Sequence, residues 1–273
     1  MILKTKTKTY HLLERTYIMG ILNVTPDSFS DGGKYTSLEK ALSHAMNMEK
    51  DGADIIDIGG ESTRPGHTPL STEEEIERVV PVIQAVRDKI SIPISVDTYK
   101  AETARAALEA GADMINDIWG AKKDPEIANV AAEYDVPIIL MHNRKEEEAH
   151  YSNIIDDMKR DLEESIDIAL TAGVRKENII LDPGLGFAKS MEEHLYVMNH
   201  LEEFHTLGYP ILLATSRKRF IGHVLDLPPD ERDIGTGATT CLGITKGIQM
   251  MRVHNVKLNV ELARMMDAML RAK

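Results

Sequence analysis

The sequence has a single cysteine among its 273 residues and no long apolar run. Because Cys241 has no second thiol to pair with, an internal disulfide is excluded, which fits a reducing compartment. The basic first residues are not followed by the apolar segment that a signal peptide needs, and no run of about 18 apolar residues could span a membrane. We therefore expect a cytoplasmic protein without a membrane segment.

Positive charge is also in short supply. Lys and Arg total 32 and Asp and Glu total 44, which gives a formal net charge of −12 at pH 7. A surface of that charge repels nucleic acids and anionic membranes. An anionic small molecule must then be bound by a local group of cations. Apolar residues make up 42% of the chain, which is enough for a sizeable core and too much for a disordered protein.

Short β-rich segments alternate with helix-length segments along the whole chain. This alternation predicts parallel strands joined by helical crossovers. Eight such units in about 250 residues favour an α/β fold, a single (β/α)8 TIM barrel, over an open doubly wound sheet. No linker divides the chain, so we expect one domain over residues 1–273. The strands are predicted at 17–22, 55–58, 94–96, 114–116, 137–141, 179–181, 211–214 and 251–254, and the helices at 38–50, 73–89, 101–110, 125–134, 155–172, 192–207, 236–246 and 260–271.

Glycines and capping residues mark the helix ends. Gly52, Gly111, Gly173 and Gly208 each stand between a predicted helix and the next strand, where a left-handed C-terminal cap is expected. Ser71 and the Glu three positions later have the spacing of a capping box.

Polar residues collect where the predicted strands end, the face that carries active sites in such barrels. Asp97, Asn116 and Asp182 end three different strands. A carboxylate can accept two parallel hydrogen bonds, so it suits a flat heterocycle with adjacent N–H donors, and an amide can both donate and accept. Arg252 and His254 lie two positions apart and share one strand face, which predicts an anion site at the end of the last strand.

Three other patterns in the sequence do not identify a function by themselves. Gly184 and Gly186 are too few for a nucleotide fingerprint, and His142 lacks the partners of a structural zinc site. Lys218, between two arginines, could be a Schiff-base nucleophile or a ligand for anions and ring acceptors. Glycines near the second strand leave open whether Asp57 and Glu61 point into the barrel.

With these residues assembled, the chain resembles the dihydropteroate synthase family of pterin-binding TIM barrels over nearly its full length. The resemblance rests on residues 19–33, 59–66, 95–97, 116–117, 182–187, 216–218 and 252–254. It implies condensation of 6-hydroxymethyl-7,8-dihydropterin diphosphate with para-aminobenzoate to give 7,8-dihydropteroate and pyrophosphate. It also implies Mg²⁺ as cofactor and a homodimer. In the implied mechanism pyrophosphate departs first and the arylamine then attacks the pterin carbon, without a protein nucleophile.

The resemblance further assigns roles to individual positions. Catalysis would involve Lys218, Arg252, His254 and Asp97, and Asn23 would help to bind Mg²⁺. The ring would be held by Asp97, Asn116, Asp182 and Lys218; the diphosphate by Thr63, Arg64, Arg252 and His254; the aminobenzoate by Phe29, Pro65, Phe187 and Lys218; and Met141 would also touch substrate.

The sequence departs from the usual family pattern at three positions. Arg219 stands where many members have Ser, Ala214 where Gly is common, and His67 where Ala is common. The alternatives are a corrinoid-linked methyltransferase of the same barrel superfamily, a Schiff-base aldolase that uses Lys218, and a pterin-binding protein without activity. The Arg-Val-His strand and the long loops after the first two strands argue against the methyltransferase.

Overall fold

The computed structural model describes residues 1–24, 34–61 and 69–272. Within these residues ten strands and nine α-helices follow one another. The strands are β1 (Ile2–Lys4), β2 (Thr9–His11), β3 (Tyr17–Asn23), β4 (Ile55–Gly59), β5 (Ile94–Asp97), β6 (Met114–Asp117), β7 (Ile138–Met141), β8 (Ile179–Asp182), β9 (Leu212–Leu213) and β10 (Met250–Val253). The helices are α1 (Lys34–Lys50), α2 (Thr72–Arg87), α3 (Ala101–Glu109), α4 (Glu126–Glu133), α5 (Ile154–Thr171), α6 (Met191–Asn199), α7 (Arg219–Leu225), α8 (Asp233–Thr245) and α9 (Val256–Arg271).

The eight strands from β3 to β10 form one parallel sheet that closes on itself. Their order is β8-β7-β6-β5-β4-β3-β10-β9. The two ends of this order meet through a parallel bridge between Leu181 and Ile211, and the amide of Leu181 donates to the carbonyl of Pro210 at 2.9 Å. The predicted barrel is confirmed, and the open doubly wound sheet is excluded.

One predicted helix is wrong, and three short elements, α7, β1 and β2, were not predicted. The segment 192–207 is not one helix, because His200 leaves the helical region (φ −120°, ψ 25°) and a 3₁₀ segment, Leu201–Leu207, follows α6. Helix α7 was not predicted, because its seven residues are too few for a clear periodic pattern. The strands β1 and β2 pair as an antiparallel hairpin, and each is only three residues long.

Apolar side chains form two separate clusters, one outside and one inside the barrel. The outer cluster joins one alternate set of strand residues, such as Ile94 and Val96, to the helices. The inner cluster takes the other set and no helical residue: Tyr17, Met19, Ile55, Met114, Ile139, Ile180, Leu212, Ala214 and Met250. Since successive strand residues point to opposite faces, the inner cluster fills the barrel.

The N-terminal hairpin covers one end of the barrel. Leu3, Tyr10 and Leu12 are buried and belong to the inner cluster. The hydroxyl of Tyr10 donates to the carbonyl of Asp54 at 2.7 Å, and its ring meets that of Tyr17 edge to face at 5.1 Å. With this end filled, a ligand reaches the interior from the opposite end, where the strands have their carboxyl termini.

The helix ends predicted from the four glycines and from the capping box at Ser71 are confirmed. Gly52, Gly111, Gly173 and Gly208 have positive φ angles between 78° and 114°. Ser71 caps α2 in a capping box with Glu74, and the bonds measure 3.0 and 3.1 Å. Over the described ranges, no helix is long and apolar enough to cross a membrane.

Candidate active site

A polar layer lies directly above the apolar filling of the barrel. Each of its members follows an inward-facing residue by two positions, so it points the same way, one step nearer the carboxyl end of its strand. This relationship holds for Asp57 after Ile55, and it repeats around the barrel. The layer consists of Asp57 on β4, Asp97 on β5, Asn116 on β6, Asp182 on β8 and Arg252 on β10, and the apolar Met141 on β7 lies at the same level.

Arg252 donates to two members of this layer, and one of them also accepts from a third. Its Nε donates to Oδ2 of Asp57 at 2.6 Å, and its Nη2 donates to Oδ2 of Asp97 at 2.6 Å. Nδ2 of Asn116 donates to the same Oδ2 of Asp57 at 3.0 Å. The arginine side chain is 15% exposed. Buried charges are retained only when they are paired, and this guanidinium lies between two carboxylates.

The polar layer changes the protonation of its own members. Burial raises the pKa of Asp97 to about 7; the Arg252 guanidinium opposes this rise and the Asp57 carboxylate adds to it. Burial also raises the pKa of Asp182, against the attraction of Lys218. The three carboxylates Asp57, Asp97 and Asp182 face two cations, Arg252 and Lys218. Hydrogen-bond acceptors are therefore in excess, which suits a ligand rich in N–H donors.

Asp182 is held by the turn that follows β8. Its Oδ1 accepts from the amide of Gly184 at 2.7 Å. Gly184 has a φ of +67°, and a Cβ at this position would overlap the carbonyl of His142. Glycine is required there for steric reasons, and the turn fixes the carboxylate at the end of its strand.

Of the three adjacent basic residues after β9, only Lys218 faces the polar layer. Its ammonium donates to the carbonyl of Leu185 and lies 4.6 Å from the centre of the Phe187 ring. Burial lowers the pKa of Lys218 to about 8, and Asp182 opposes the shift. Arg217 turns the other way and forms a bidentate pair with Asp233 on α8, with bonds of 2.7 and 2.9 Å.

Arg219 starts α7 and is exposed. It borders an open cleft that Met191, His223 and Arg232 also line. Of the three positions that depart from the usual family pattern, Arg219 thus lies outside the polar layer.

Two further predicted residues, Asn23 and His254, lie at the rim. Asn23 ends β3 with an exposed side chain, and its Cα pairs with that of Gly59. His254 follows the end of β10; its amide and its Nδ1 both contact the hydroxyl of Ser216, at 3.0 and 2.9 Å. Since β10 ends at Val253, Arg252 points into the barrel, whereas His254, expected on the same strand face, lies beyond the strand and meets the loop after β9.

The structure also decides two orientations that the sequence left open. Asp57 points into the barrel and is 0% exposed. Glu61 turns outward, where it pairs with Lys100 at 2.6 Å and accepts from the hydroxyl of Tyr99 at 3.3 Å. Phe29, Thr63, Arg64 and Pro65 lie outside the described residues.

A network of four buried and half-buried polar side chains behind the β8 turn was missed by sequence reasoning. Nζ of Lys189 donates to the carbonyls of Gly184 and Phe187, both at 3.1 Å, and lies 3.0 Å from Nδ1 of His142. Nε2 of the histidine is 2.9 Å from Asp161, which also pairs with Arg144 at 2.6 Å. The only available signal was a lysine that follows the glycine-rich turn.

The network of Lys189, His142, Asp161 and Arg144 also determines the role of His142. Burial lowers its pKa to about 3, and the ammonium of Lys189 adds to the shift. Both ring nitrogens are engaged, by Lys189 and by Asp161. The histidine therefore supports the turn. Among the described residues no group of three or more His, Cys, Asp or Glu side chains is arranged to hold a metal ion.

Comparisons with known proteins agree with this geometry. The family model described as pterin binding enzyme matches residues 19–254. A dihydropteroate synthase of Bacillus subtilis is 62% identical over 269 residues, which cover 98% of this chain and 94% of the relative.

Two solved structures are similar over the whole fold. A dihydropteroate synthase from Clostridium difficile, solved with pteroic acid, has a TM-score of 0.93 and 50% identity, and the match covers 96% of this chain and 100% of that one. One from Xanthomonas albilineans, solved with 4-aminobenzoic acid, has a TM-score of 0.94 and 40% identity, and covers 100% and 99%. The chain belongs to the pterin-binding enzymes and, within them, to the dihydropteroate synthases, which are transferases.

Proposed function

We propose that the polar layer binds the pterin ring and that the rim around it binds the diphosphate and the aminobenzoate. As a dihydropteroate synthase the chain condenses 6-hydroxymethyl-7,8-dihydropterin diphosphate with para-aminobenzoate, forming 7,8-dihydropteroate and pyrophosphate. One observation carries the proposal. Asp97, Asn116, Asp182 and Lys218 come from four different βα units and meet above a closed apolar filling.

Ring recognition follows from the chemistry of these groups. The pyrimidine edge of a pterin presents an amino group and a ring N–H side by side, which a carboxylate can accept together. Asp182 is the candidate for this contact because the turn at Gly184 fixes it. Lys218 donates to ring acceptors, and Asp97 and Asn116 complete the perimeter. The buried Met141 supplies an apolar contact.

We propose that Arg252 and His254, together with Thr63 and Arg64, bind the diphosphate. A guanidinium carries five N–H donors, more than its bonds to Asp57 and Asp97 use. His254 lies further out at the rim, where the leaving group would depart. Phe29, Pro65 and Phe187, with Lys218, would form the aminobenzoate pocket, and Phe187 already lies against the lysine.

The reaction then depends on charge stabilisation and positioning. The C–O bond between the pterin methylene and the diphosphate breaks, and the electron pair leaves with pyrophosphate. The arylamine is uncharged at neutral pH, forms the new C–N bond and releases a proton to solvent. In this scheme Lys218 acts as a hydrogen-bond donor and not as a Schiff-base nucleophile.

The residues present fit a Mg²⁺ ion that is bound chiefly through the substrate. Mg²⁺ commonly takes one or two protein oxygens and completes its shell with phosphate oxygens and water. The amide oxygen of Asn23, exposed at the carboxyl end of β3, is a suitable hard ligand. When bound, the ion would neutralise charge on the departing pyrophosphate.

The proposal is tested by a pyrophosphate-release assay with both substrates and Mg²⁺. We expect release only when the pterin diphosphate and para-aminobenzoate are both present, together with formation of 7,8-dihydropteroate. Binding of the pterin without release would indicate a non-catalytic binding protein. Labelling of Lys218 by borohydride in the presence of a ketone would indicate aldolase chemistry.

We also propose that residues 1–273 form one domain and that two copies associate. Exposed apolar side chains on the last three helices support an interface there: Val224, Ile234, Met265, Met269 and Leu270. Light scattering would then give twice the monomer mass of 30.5 kDa. A monomeric mass would exclude the homodimer and leave the proposed reaction unaffected.

A further inference from the structure

Asp57 is a buried charge to which the reaction as described so far assigns no role. It is 0% exposed, and its Oδ2 accepts from both Asn116 and Arg252. Its other oxygen, Oδ1, has no hydrogen-bond partner among the described residues. The carboxylate is therefore tied to members of the polar layer only, and not to a structural network elsewhere in the barrel.

The bond from Asn116 fixes which way its amide points. An ionised carboxylate can only accept, so the atom of Asn116 that faces Asp57 must be Nδ2. The amide oxygen then points away from Asp57, and it accepts no hydrogen bond from the described residues. Asn116 thus offers a ligand its amide oxygen as an acceptor, together with the second N–H of Nδ2.

The hydrogen bond from Arg252 to Asp57 fixes the orientation of the guanidinium. Arg252 is shared between neighbouring strands, because Asp57 on β4 takes Nε and Asp97 on β5 takes Nη2. Without Asp57 the arginine would be free to turn its fork onto Asp97 alone, in the bidentate arrangement that arginine prefers with a carboxylate. Asp97 would then lose lone pairs that are otherwise free for the ring.

We propose that Asp57 is a positioning residue for pterin binding, which acts through Asn116 and Arg252 without touching the substrate. This inference rests on the proposed function, since it requires the polar layer to be the pterin pocket. It predicts an effect on the pterin substrate that is separate from any effect on the aminobenzoate, which binds further out.

Two substitutions at this position separate acceptor geometry from simple burial. In Asp57→Asn the amide oxygen can take the place of Oδ2 and accept from both donors, whereas Asp57→Ala accepts from neither. We expect Asp57→Ala to raise the KM for the pterin diphosphate about tenfold or more, as loss of a charge-assisted hydrogen bond does. The KM for para-aminobenzoate should change less than about twofold, and Asp57→Asn should restore most of the pterin affinity.

A matched control and a binding measurement accompany these variants. Ser95 is the register partner of Asp57 on β5, is equally buried, and makes no side-chain hydrogen bond among the described residues. Ser95→Ala should leave both KM values unchanged. Titration calorimetry with 6-hydroxymethylpterin should give the highest affinity for wild type and Ser95→Ala, a similar one for Asp57→Asn and the lowest for Asp57→Ala. If Asp57→Ala does not fold, Asp57→Leu fills the space without an acceptor and takes its place.

A double-mutant cycle with Asn116→Ala tests the route of the effect. Groups that act through one another are not additive, so Asp57→Ala should cost less affinity when Asn116 is already truncated. Unchanged pterin affinity in Asp57→Ala, equal losses in the Ala and Asn variants, or the same loss in both backgrounds would each overturn the inference. These results assume that the wild-type chain releases pyrophosphate; if it does not, the proposed function itself has failed.

Discussion

Arg252 at the end of β10 and Asp97 at the end of β5 form an ion pair of 2.6 Å, although 155 positions separate them in the chain. In the barrel, β3 and β4 stand between these two strands. The pair therefore spans the interior and connects the second half of the chain to the first. It makes the site depend on closure of the barrel.

Removal of this arginine should destabilise the fold strongly and in a pH-dependent way. Arg252→Met leaves Asp57 and Asp97 buried without a cation, and breaking a buried pair costs about 3 to 5 kcal/mol. The substitution raises the folded-state pKa of Asp97 further above its unfolded value. The penalty is therefore present at pH 8 and shrinks as the pH falls and Asp97 protonates.

Urea unfolding of Arg252→Met and wild type at pH 8 and pH 5.5 measures this difference. Arg105→Met is the control, because Arg105 pairs with Glu133 on the surface, where the two side chains are 37% and 56% exposed. It should cost less than about 1 kcal/mol at either pH. Equal losses for the two arginines would contradict the central place of Arg252.

The pH dependence of turnover should have two limbs. The pKa of Asp97 is raised to about 7, so its carboxylate is lost as the pH falls below that value and ring binding weakens. The pKa of Lys218 is lowered to about 8, so its ammonium is lost above that value. We expect kcat/KM for the pterin diphosphate to be greatest between pH 7 and 8.

The Asp97→Asn substitution separates the acid limb of the pH profile from the alkaline limb. Asp97→Asn should lower activity and flatten the acid limb while the alkaline limb remains. A profile of Asp97→Asn that keeps the wild-type acid limb would assign that limb to another group.

Two glycines with similar backbone conformation should respond differently to alanine. Gly186 has a φ of +94°, and a Cβ there would overlap Cδ of Lys218; Gly208 has a φ of +78° and nothing within 4 Å. Both substitutions should cost about 1 to 2 kcal/mol of stability through the left-handed backbone. Only Gly186→Ala displaces the lysine, so only this variant should also lose kcat/KM.

Steady-state kinetics and thermal unfolding of the two alanine variants test this contrast. Loss of activity in Gly208→Ala, or full activity in a folded Gly186→Ala, would show that the turn after β8 does not set the position of Lys218.

Lys189 should matter for the aminobenzoate although it lies behind the site. Its three contacts hold the turn that carries Phe187 and the carbonyl of Leu185, to which Lys218 is bonded. Lys189→Met keeps the apolar stem but donates nothing. We expect the KM for para-aminobenzoate to rise about tenfold, consistent with the loss of charged hydrogen bonds.

Kinetics with each substrate varied in turn measure the effect of this lysine. Lys145→Met is the control: its side chain is 62% exposed, and it should change neither KM. A rise in KM for the pterin diphosphate alone would place the influence of Lys189 at the ring and not at the aminobenzoate pocket.

Local patterns in the sequence predicted most of the fold. Periodicity placed the eight barrel strands and most helices, and the glycines at 52, 111, 173 and 208 marked helix ends that the structure confirms. The missed elements are those whose segments are too short to show a clear periodic pattern. Helix α7 and the strands of the N-terminal hairpin have seven and three residues, and packing against the barrel stabilises them more than their own sequence does.

The candidate site was predicted less completely. Asp97, Asn116, Asp182 and Arg252 could be placed at strand ends because parallel strands bring their carboxyl termini to one face. The partners of each side chain could not be predicted, because a hydrogen bond depends on distances of a few tenths of an ångström between groups remote in sequence. For this reason the sequence did not predict that Arg217 anchors α8 or that Lys189 holds the turn after β8.

The sequence by itself determined the alternation of strands and helices, the face on which polar side chains would gather, and the family. These depend on residue type and spacing along one segment at a time. Only the tertiary structure decided that Asp57 points inward to Asn116 and Arg252 while Glu61 turns outward to Lys100. That choice depends on strand register and on closure of the barrel, which bring together charges that no local pattern relates.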